Sequence, residues 1–226
     1  RVLFRSLGVG ERALVVVSRT PFYSERGGQV GDVGEIHAVG GSGDLLATVV
    51  DAQRPVGTMT LHSVEARAPM GVGDEVELRV DATRRADTMR NHTVTHLLHR
   101  AIRIVTGPDS KQRGSLVHPD YLRFDYPLDR TLSREERDAV ESEVRRAIRE
   151  DMAIIAAEMS MAEAVKAGAD AFFDEKYGET VRTIRMEEYS HELCGGTHCT
   201  ATGQVGSFVI TSERSIGSGL RRIEAL

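Results

Sequence analysis

The sequence predicts an α+β fold in two parts, on three observations. Residues 1–80 carry short runs rich in Val, Leu and Ile, separated by glycines, as many short strands would be. At Asp81 the pattern gives way to one long helical period that stops at Gly107-Pro108. Beyond it, helices and strands follow in mixed order with no internal repeat. The expected architecture is a small N-terminal β-barrel over residues 1–80 and an α+β domain over 81–226.

Strands are expected at 13–18, 45–51, 59–64 and 75–80, with breaks at Gly27-Gly28, Gly40-Gly41, Gly57 and Gly71-Val72-Gly73. A helix of about 25 residues follows, with Asp81 or Thr83 as its N-cap. Strand-like pieces come at 115–117 and 121–126. Ser133 with Glu136, and Ser160 with Glu163, have the spacing of capping boxes, and predict helices running to about Glu150 and to near Gly168. An extended piece at 154–158 separates them, and further strands are expected at 181–186, 207–211 and 220–225.

Composition narrows the function classes. Hydrophobic content of 40% and charged content of 28% are ordinary for a globular protein of 226 residues. Aromatics are 5% with no Trp, which argues against a broad base-stacking platform. A net charge of −5 leaves nucleic-acid binding to local patches. Candidates are Arg84, Arg85, Arg90, Arg100 and Arg103 on the long helix and Arg221-Arg222 near the C-terminus. Arg145-Arg146 with Glu141 and Glu143 reads as a solvated helix face. No apolar run approaches the ~20 residues of a membrane span, so no membrane partner is expected. The chain starts at Arg1 rather than Met; the expectation is an excised part of a longer protein.

The two cysteines, Cys194 and Cys199, share one Gly-rich segment with His198, which points to a metal or reactive site in a reducing, cytoplasmic compartment. Upstream, His92 and His96 stand four residues apart on the long helix. That spacing turns a helix by only about 40° beyond a full circle, so both imidazoles can reach one ion. Val94, Leu97, Leu98, Ala101, Ile104 and Val105 group on the other side, so the histidines are expected to face a cleft or solvent. Such a pair also arises by chance among eight histidines. His99 is open to two readings, a solvated residue or a substitute ligand. Thr93 occupies the place where a zinc protease has its Glu base, which disfavours protease chemistry. The second half of the set is Cys194-Gly195-Gly196-Thr197-His198, whose thiolate and imidazole suit zinc. The glycines allow a tight bend and close approach of a substrate. One Zn2+ per chain, held by His92, His96, Cys194 and His198, is the expectation. Cys199 is either a small buried apolar residue or a competitor for the metal.

His92-Thr93-Val94-Thr95-His96-Leu97-Leu98-His99 and Glu192-Leu193-Cys194-Gly195-Gly196-Thr197-His198 resemble the paired signatures of alanyl-tRNA synthetase editing domains and of free-standing alanyl-tRNA editing proteins. The resemblance spans nearly the whole chain. It includes Thr20-Pro21-Phe22-Tyr23, Gly27-Gly28-Gln29-Val30-Gly31-Asp32, Gln112-Arg113-Gly114-Ser115-Leu116-Val117, Leu122-Arg123-Phe124-Asp125, Glu175-Lys176-Tyr177-Gly178 and Arg221-Arg222-Ile223-Glu224-Ala225. Threonyl-tRNA synthetase editing domains share the frame but typically read Cys-Arg-Gly-Pro-His at the second signature. The chain departs from the alanyl pattern at Asp109-Ser110, where a His-Val pair is frequent, and at Ser24-Glu25-Arg26, where Ala-Glu-Ser is usual.

The resemblance implies hydrolysis of the ester in tRNA(Ala) mischarged with serine or glycine, with the tRNA acceptor end as partner and an alanine–tRNA ligase as the parent protein. Thr95, Gln112 and Cys194 are the implied residues of the catalytic centre. Thr95, Gln112 and Ser115 line the implied amino-acid pocket, with Gly195, Gly196, Arg221 and Arg222 as further substrate contacts. The competing reading is a non-catalytic tRNA-binding or structural zinc module on the same scaffold. Whether zinc activates water or orients the ester stays open.

Overall fold

The computed structural model describes residues 6–40, 43–170 and 178–226. Arg1-Val2-Leu3-Phe4-Arg5, Gly41 and Glu175-Lys176-Tyr177 of the sequence reading lie outside them. The chain forms two compact units, one from Arg1–Arg26 and Val30–Arg85, the other from Gly27–Gln29 and Ala86–Leu226.

The first unit contains β1 (Ser6–Leu7), β2 (Arg12–Val15), β3 (Gly34–Ala38), β4 (Leu45–Val56), β5 (Met59–Ala66), β6 (Met70–Gly71) and β7 (Val76–Val80). Five of them make an antiparallel sheet in the order β2-β5-β4-β3-β7, while β1 pairs with β6. Along β5 the alternate residues Thr60, His62, Val64 and Ala66 are buried, as the two-residue period of a one-sided sheet requires. Val64 among them joins a core of Phe22, Ile36, Ala47, Val49, Ala52 and Met70. The closed barrel expected from sequence is absent among the described residues. β2 pairs only with β5 and β7 only with β3, so the ladder ends at two edges. Alternating burial is common to open sheets and barrels, and so it could not distinguish them. β3 was not anticipated, because Gly34-Glu35-Ile36-His37-Ala38 sits among glycines and lacks alternation; it nevertheless lies between β4 and β7.

The second unit follows α1 (Ala82–Thr106) with β8 (Gly114–Val117), β9 (Leu122–Pro127), α2 (Arg134–Arg149), β10 (Ile154–Ser160), α3 (Met161–Lys166), β11 (Thr180–Met186) and β12 (Ser190–Leu193). A short 3-10 turn (Thr202–Val205), β13 (Ile210–Gly217) and β14 (Leu220–Ala225) complete it. The fold is α+β. Two sheets form, ordered β13-β14-β9-β8 and β10-β11-β12. Asp81 caps α1 by accepting the Arg84 N–H at 2.9 Å, and Gly107 ends it at φ 109°. Both anticipated capping boxes form, at Ser133/Glu136 and Ser160/Glu163. The core joins Leu97, Leu98, Ala101 and Ile102 of α1 to Phe124 and Tyr126 of β9, Val140 and Val144 of α2, Ile184 of β11 and Ile223 of β14. The strand expected at 207–211 instead runs over Ile210–Gly217, a polar edge strand that the apolar pattern did not reveal.

Candidate metal centre

The core of the second unit fixes α1, and α1 presents its histidines inward. His92 and His96 are each 6% exposed and His99 is 1% exposed, whereas Ile104 is 51% exposed. Of the two surroundings expected for the histidines, a cleft or solvent, open solvent is therefore corrected. Val94, Leu97, Leu98 and Ala101 are buried as expected, but residues on both flanks of the helix are covered, so a helical wheel scoring only apolar residues drew the buried sector too narrowly.

One ligand atom from each of His92, His96, Cys194 and His198 lies within 4.8 Å of the others. Cys194 follows β12, and its Sγ stands 3.4 Å from His92 Nε2 and 3.3 Å from His198 Nε2. The imidazole of His198 packs 4.2 Å from that of His92 and 4.8 Å from that of His96, centre to centre. The loop is held by Arg182 of β11, whose Nη1 donates to the carbonyls of Cys194 at 2.9 Å and Gly196 at 2.7 Å. The glycines differ in purpose. A Cβ on Gly196 would run into the His92 ring and come within 2.8 Å of Gln29 Oε1; one on Gly195 would meet nothing within 4 Å.

The far nitrogen of each imidazole also has a neighbour. His92 Nδ1 meets Gln29 Oε1 at 2.7 Å, His198 Nδ1 meets Thr93 Oγ1 at 3.3 Å, and His96 Nδ1 makes an ion pair with Glu192 Oε2. Glu192 also takes His99 Nδ1 at 3.0 Å through its other oxygen, so His99 is buried, outside the four-residue group and a partner of that carboxylate. Such outer contacts aim the facing nitrogen of a metal-binding histidine. Gln29, Thr93 and Glu192 were not singled out for this role from sequence: a Gln in a glycine-rich turn, or a Glu before a Cys, has no distinguishing spacing.

The electrostatics leave Cys194 and His198 as ready donors, while His96 would have to give up a proton to join them around a cation. Burial alone would raise the Cys194 thiol, but the adjoining imidazoles of His92 and His198 hold it well below its ordinary value. Burial pushes His198 down to about 3, so it stays neutral with a lone pair to offer. Burial opposes a charged His96, but Glu192 and the Cys194 thiol raise it to about 10. Glu192, against the pull of its own burial, is held far below the carboxylate range by His96 and His99. Three imidazoles and a thiolate form a donor set of the kind that suits zinc.

The other anticipated site residues are distributed as follows. Thr95 is buried and its hydroxyl donates to Asn91 O at 2.6 Å. Gln112 and Ser115 are half-buried and joined by an Nε2-to-Oγ hydrogen bond of 3.2 Å. Cys199 lies buried outside the four-residue group; its N–H donates to Thr93 Oγ1 at 3.1 Å, and burial raises its thiol. Arg221 reaches Glu213 at 2.9 Å and Thr131 at 3.0 Å, while Arg222 grips Asp125 through two bonds of 2.7 and 2.8 Å. On α1, Arg85 pairs with Asp32, Arg90 with Asp87 and Arg103 with Asp170, whereas Arg100 is exposed.

Comparisons with known proteins find likeness to aminoacyl-tRNA synthetases. Residues 181–224 match the family described as threonyl and alanyl tRNA synthetase second additional domain, and residues 3–84 match class II (A) tRNA synthetases. The chain is 48% identical over 217 residues to the alanine–tRNA ligase of Halorhodospira halophila, covering 96% of this chain and 25% of that protein. It is 47% identical over 218 residues to that of Myxococcus xanthus and 46% over 219 to that of Kocuria rhizophila, covering 96% of this chain and 24% of the relative in each case. The chain is thus similar over nearly its whole length to part of the alanine–tRNA ligases, and it spans about a quarter of the length of the curated relatives it matches.

Proposed function

We propose that the chain is a zinc-dependent editing hydrolase, cleaving the ester of Ser-tRNA(Ala) and Gly-tRNA(Ala) as part of an alanine–tRNA ligase. The hydrolase is assigned to residues 81–226, with 1–80 as an accessory subdomain. The observation that carries the reading is the meeting of His92, His96, Cys194 and His198, in a loop whose Gly195 is exposed and would meet nothing with an added Cβ. A zinc ion held there would polarise the ester or lower the pKa of a water.

The residues of the chain supply the rest. Gly195 leaves room for the acyl ester. Thr95 has given its hydroxyl hydrogen to Asn91 and keeps lone pairs to accept from the serine hydroxyl. Ser115, held by Gln112, has a hydroxyl hydrogen to donate. Alanine would leave these groups unpaired, and so the cognate product is spared. Among the helix arginines, Arg100 is assigned to the acceptor-end phosphates because it is exposed to solvent, while Arg85, Arg90 and Arg103 are held in direct ion pairs.

One observation favours a second reading. Four protein donors would fill all the positions of a four-coordinate ion, which is the habit of a structural zinc. Deacylation of Ser-tRNA(Ala) beside a matched Ala-tRNA(Ala) control separates the two. Hydrolysis of the seryl ester that is lost in Cys194→Ser, with the alanyl ester spared, supports editing. No hydrolysis of either ester by the zinc-loaded protein supports the structural module.

A further inference from the structure

We propose that Gln29 is a positioning residue of the metal centre: it fixes the tautomer of His92 and ties down the turn between Cys194 and His198. This rests on the reading of the four-residue group as a metal site.

The hydrogen-bond pattern leaves one arrangement. The Thr197 backbone N–H can only donate, and it points at Gln29 Oε1 from 2.9 Å. That assigns the amide oxygen, and Nε2 then donates to Thr197 Oγ1 at 2.9 Å. The same Oε1 meets His92 Nδ1 at 2.7 Å, so Nδ1 carries the hydrogen and donates it. His92 Nε2 is left with its lone pair 3.4 Å from Cys194 Sγ, on the side where an ion would sit. One fully buried amide thus sets the facing atom of one ligand and the turn that spaces two others.

The backbone around Gln29 is built to bring it there. Gly28 has φ 84°, and its carbonyl accepts the Val117 N–H at 2.7 Å. A Cβ on Gly28 would come 2.6 Å from the Ser115 carbonyl oxygen, so only glycine lets this strap lie against β8. Gly196 gives way on the other side, where a side chain would displace both His92 and the Gln29 oxygen.

The test is zinc competition against a chromogenic chelator on the whole chain, for wild type, Gln29→Leu, Gln29→Glu and Cys194→Ser, with circular dichroism of each ion-free form. Gln29→Leu should bind zinc on the order of 10–100-fold more weakly. Gln29→Glu, which keeps an acceptor for His92, should recover most of the loss. Heteronuclear NMR of the imidazole nitrogens in zinc-loaded wild type should show His92 with its hydrogen on Nδ1, a readout independent of how the variants fold. Wild-type zinc affinity in Gln29→Leu alongside its loss in Cys194→Ser overturns the role of Gln29 alone, as does metal on His92 Nδ1. No zinc uptake by wild type overturns the metal centre, and this proposal with it.

Discussion

Glu192 and His96 form an ion pair in which both side chains are almost wholly buried, 4% and 8% exposed. A charge pair this deep persists because each partner satisfies the other, and removing one leaves an uncompensated charge. Replacing Glu192 by Leu should therefore destabilise the protein by roughly 3–5 kcal/mol. Glu192→Gln keeps the shape and one acceptor; it should retain the fold and weaken zinc binding about 10–100-fold. Urea unfolding together with chelator competition measures both, and an unchanged zinc affinity in Glu192→Gln would remove the carboxylate from the account.

The two glycines of the ligand loop should respond differently. Gly196→Ala forces a methyl into the His92 ring, and overpacking of this kind costs about 1–3 kcal/mol. Gly195→Ala meets open space and should stay within ~0.5 kcal/mol of wild type. Thermal unfolding of the two variants side by side is sufficient. Equal losses would mean that the tight packing at Gly196 does not govern this loop.

The two cysteines should separate just as cleanly. Cobalt bound to the wild type should give a thiolate charge-transfer band, which Cys194→Ala abolishes and Cys199→Ala leaves in place. Survival of the band in Cys194→Ala would assign the sulfur ligand to Cys199.

His62 predicts an acid-sensitive first unit. It is fully buried against Val15 O at 3.1 Å and Thr20 Oγ1 at 2.8 Å, and burial lowers its pKa from the ordinary 6.5. The unfolded chain then takes up a proton that the folded chain refuses, so stability falls as pH drops below 6.5. The loss of melting temperature between neutral and mildly acidic pH should shrink in His62→Gln. An identical acid slope in that variant would show that the effect arises elsewhere.

Local signals were the legible ones. Asp81 and Gly107 bound α1 because caps are short-range chemistry, and the same holds for the two Ser-x-x-Glu boxes. His-x3-His and Cys-x3-His each announce a pair of candidate ligands within a few residues, and the fold had only to bring the pairs together. What escaped the sequence depends on distant pairing. Closure of the first sheet is decided by whether β2 and β7 meet, and no residue pattern encodes that. The inward turn of His92, His96 and His99 depends on Gln29 and Glu192, which lie 63 and 93 residues away from His92 and His99 respectively. Polar residues that pair in the interior read from sequence as surface residues.

The central claim is that three imidazoles and one thiolate hold a single zinc. X-ray absorption at the zinc edge of the chain loaded with one equivalent tests it most directly. The account predicts one sulfur at about 2.3 Å and three nitrogens at about 2.0–2.1 Å. A shell of nitrogen and oxygen without sulfur would contradict it.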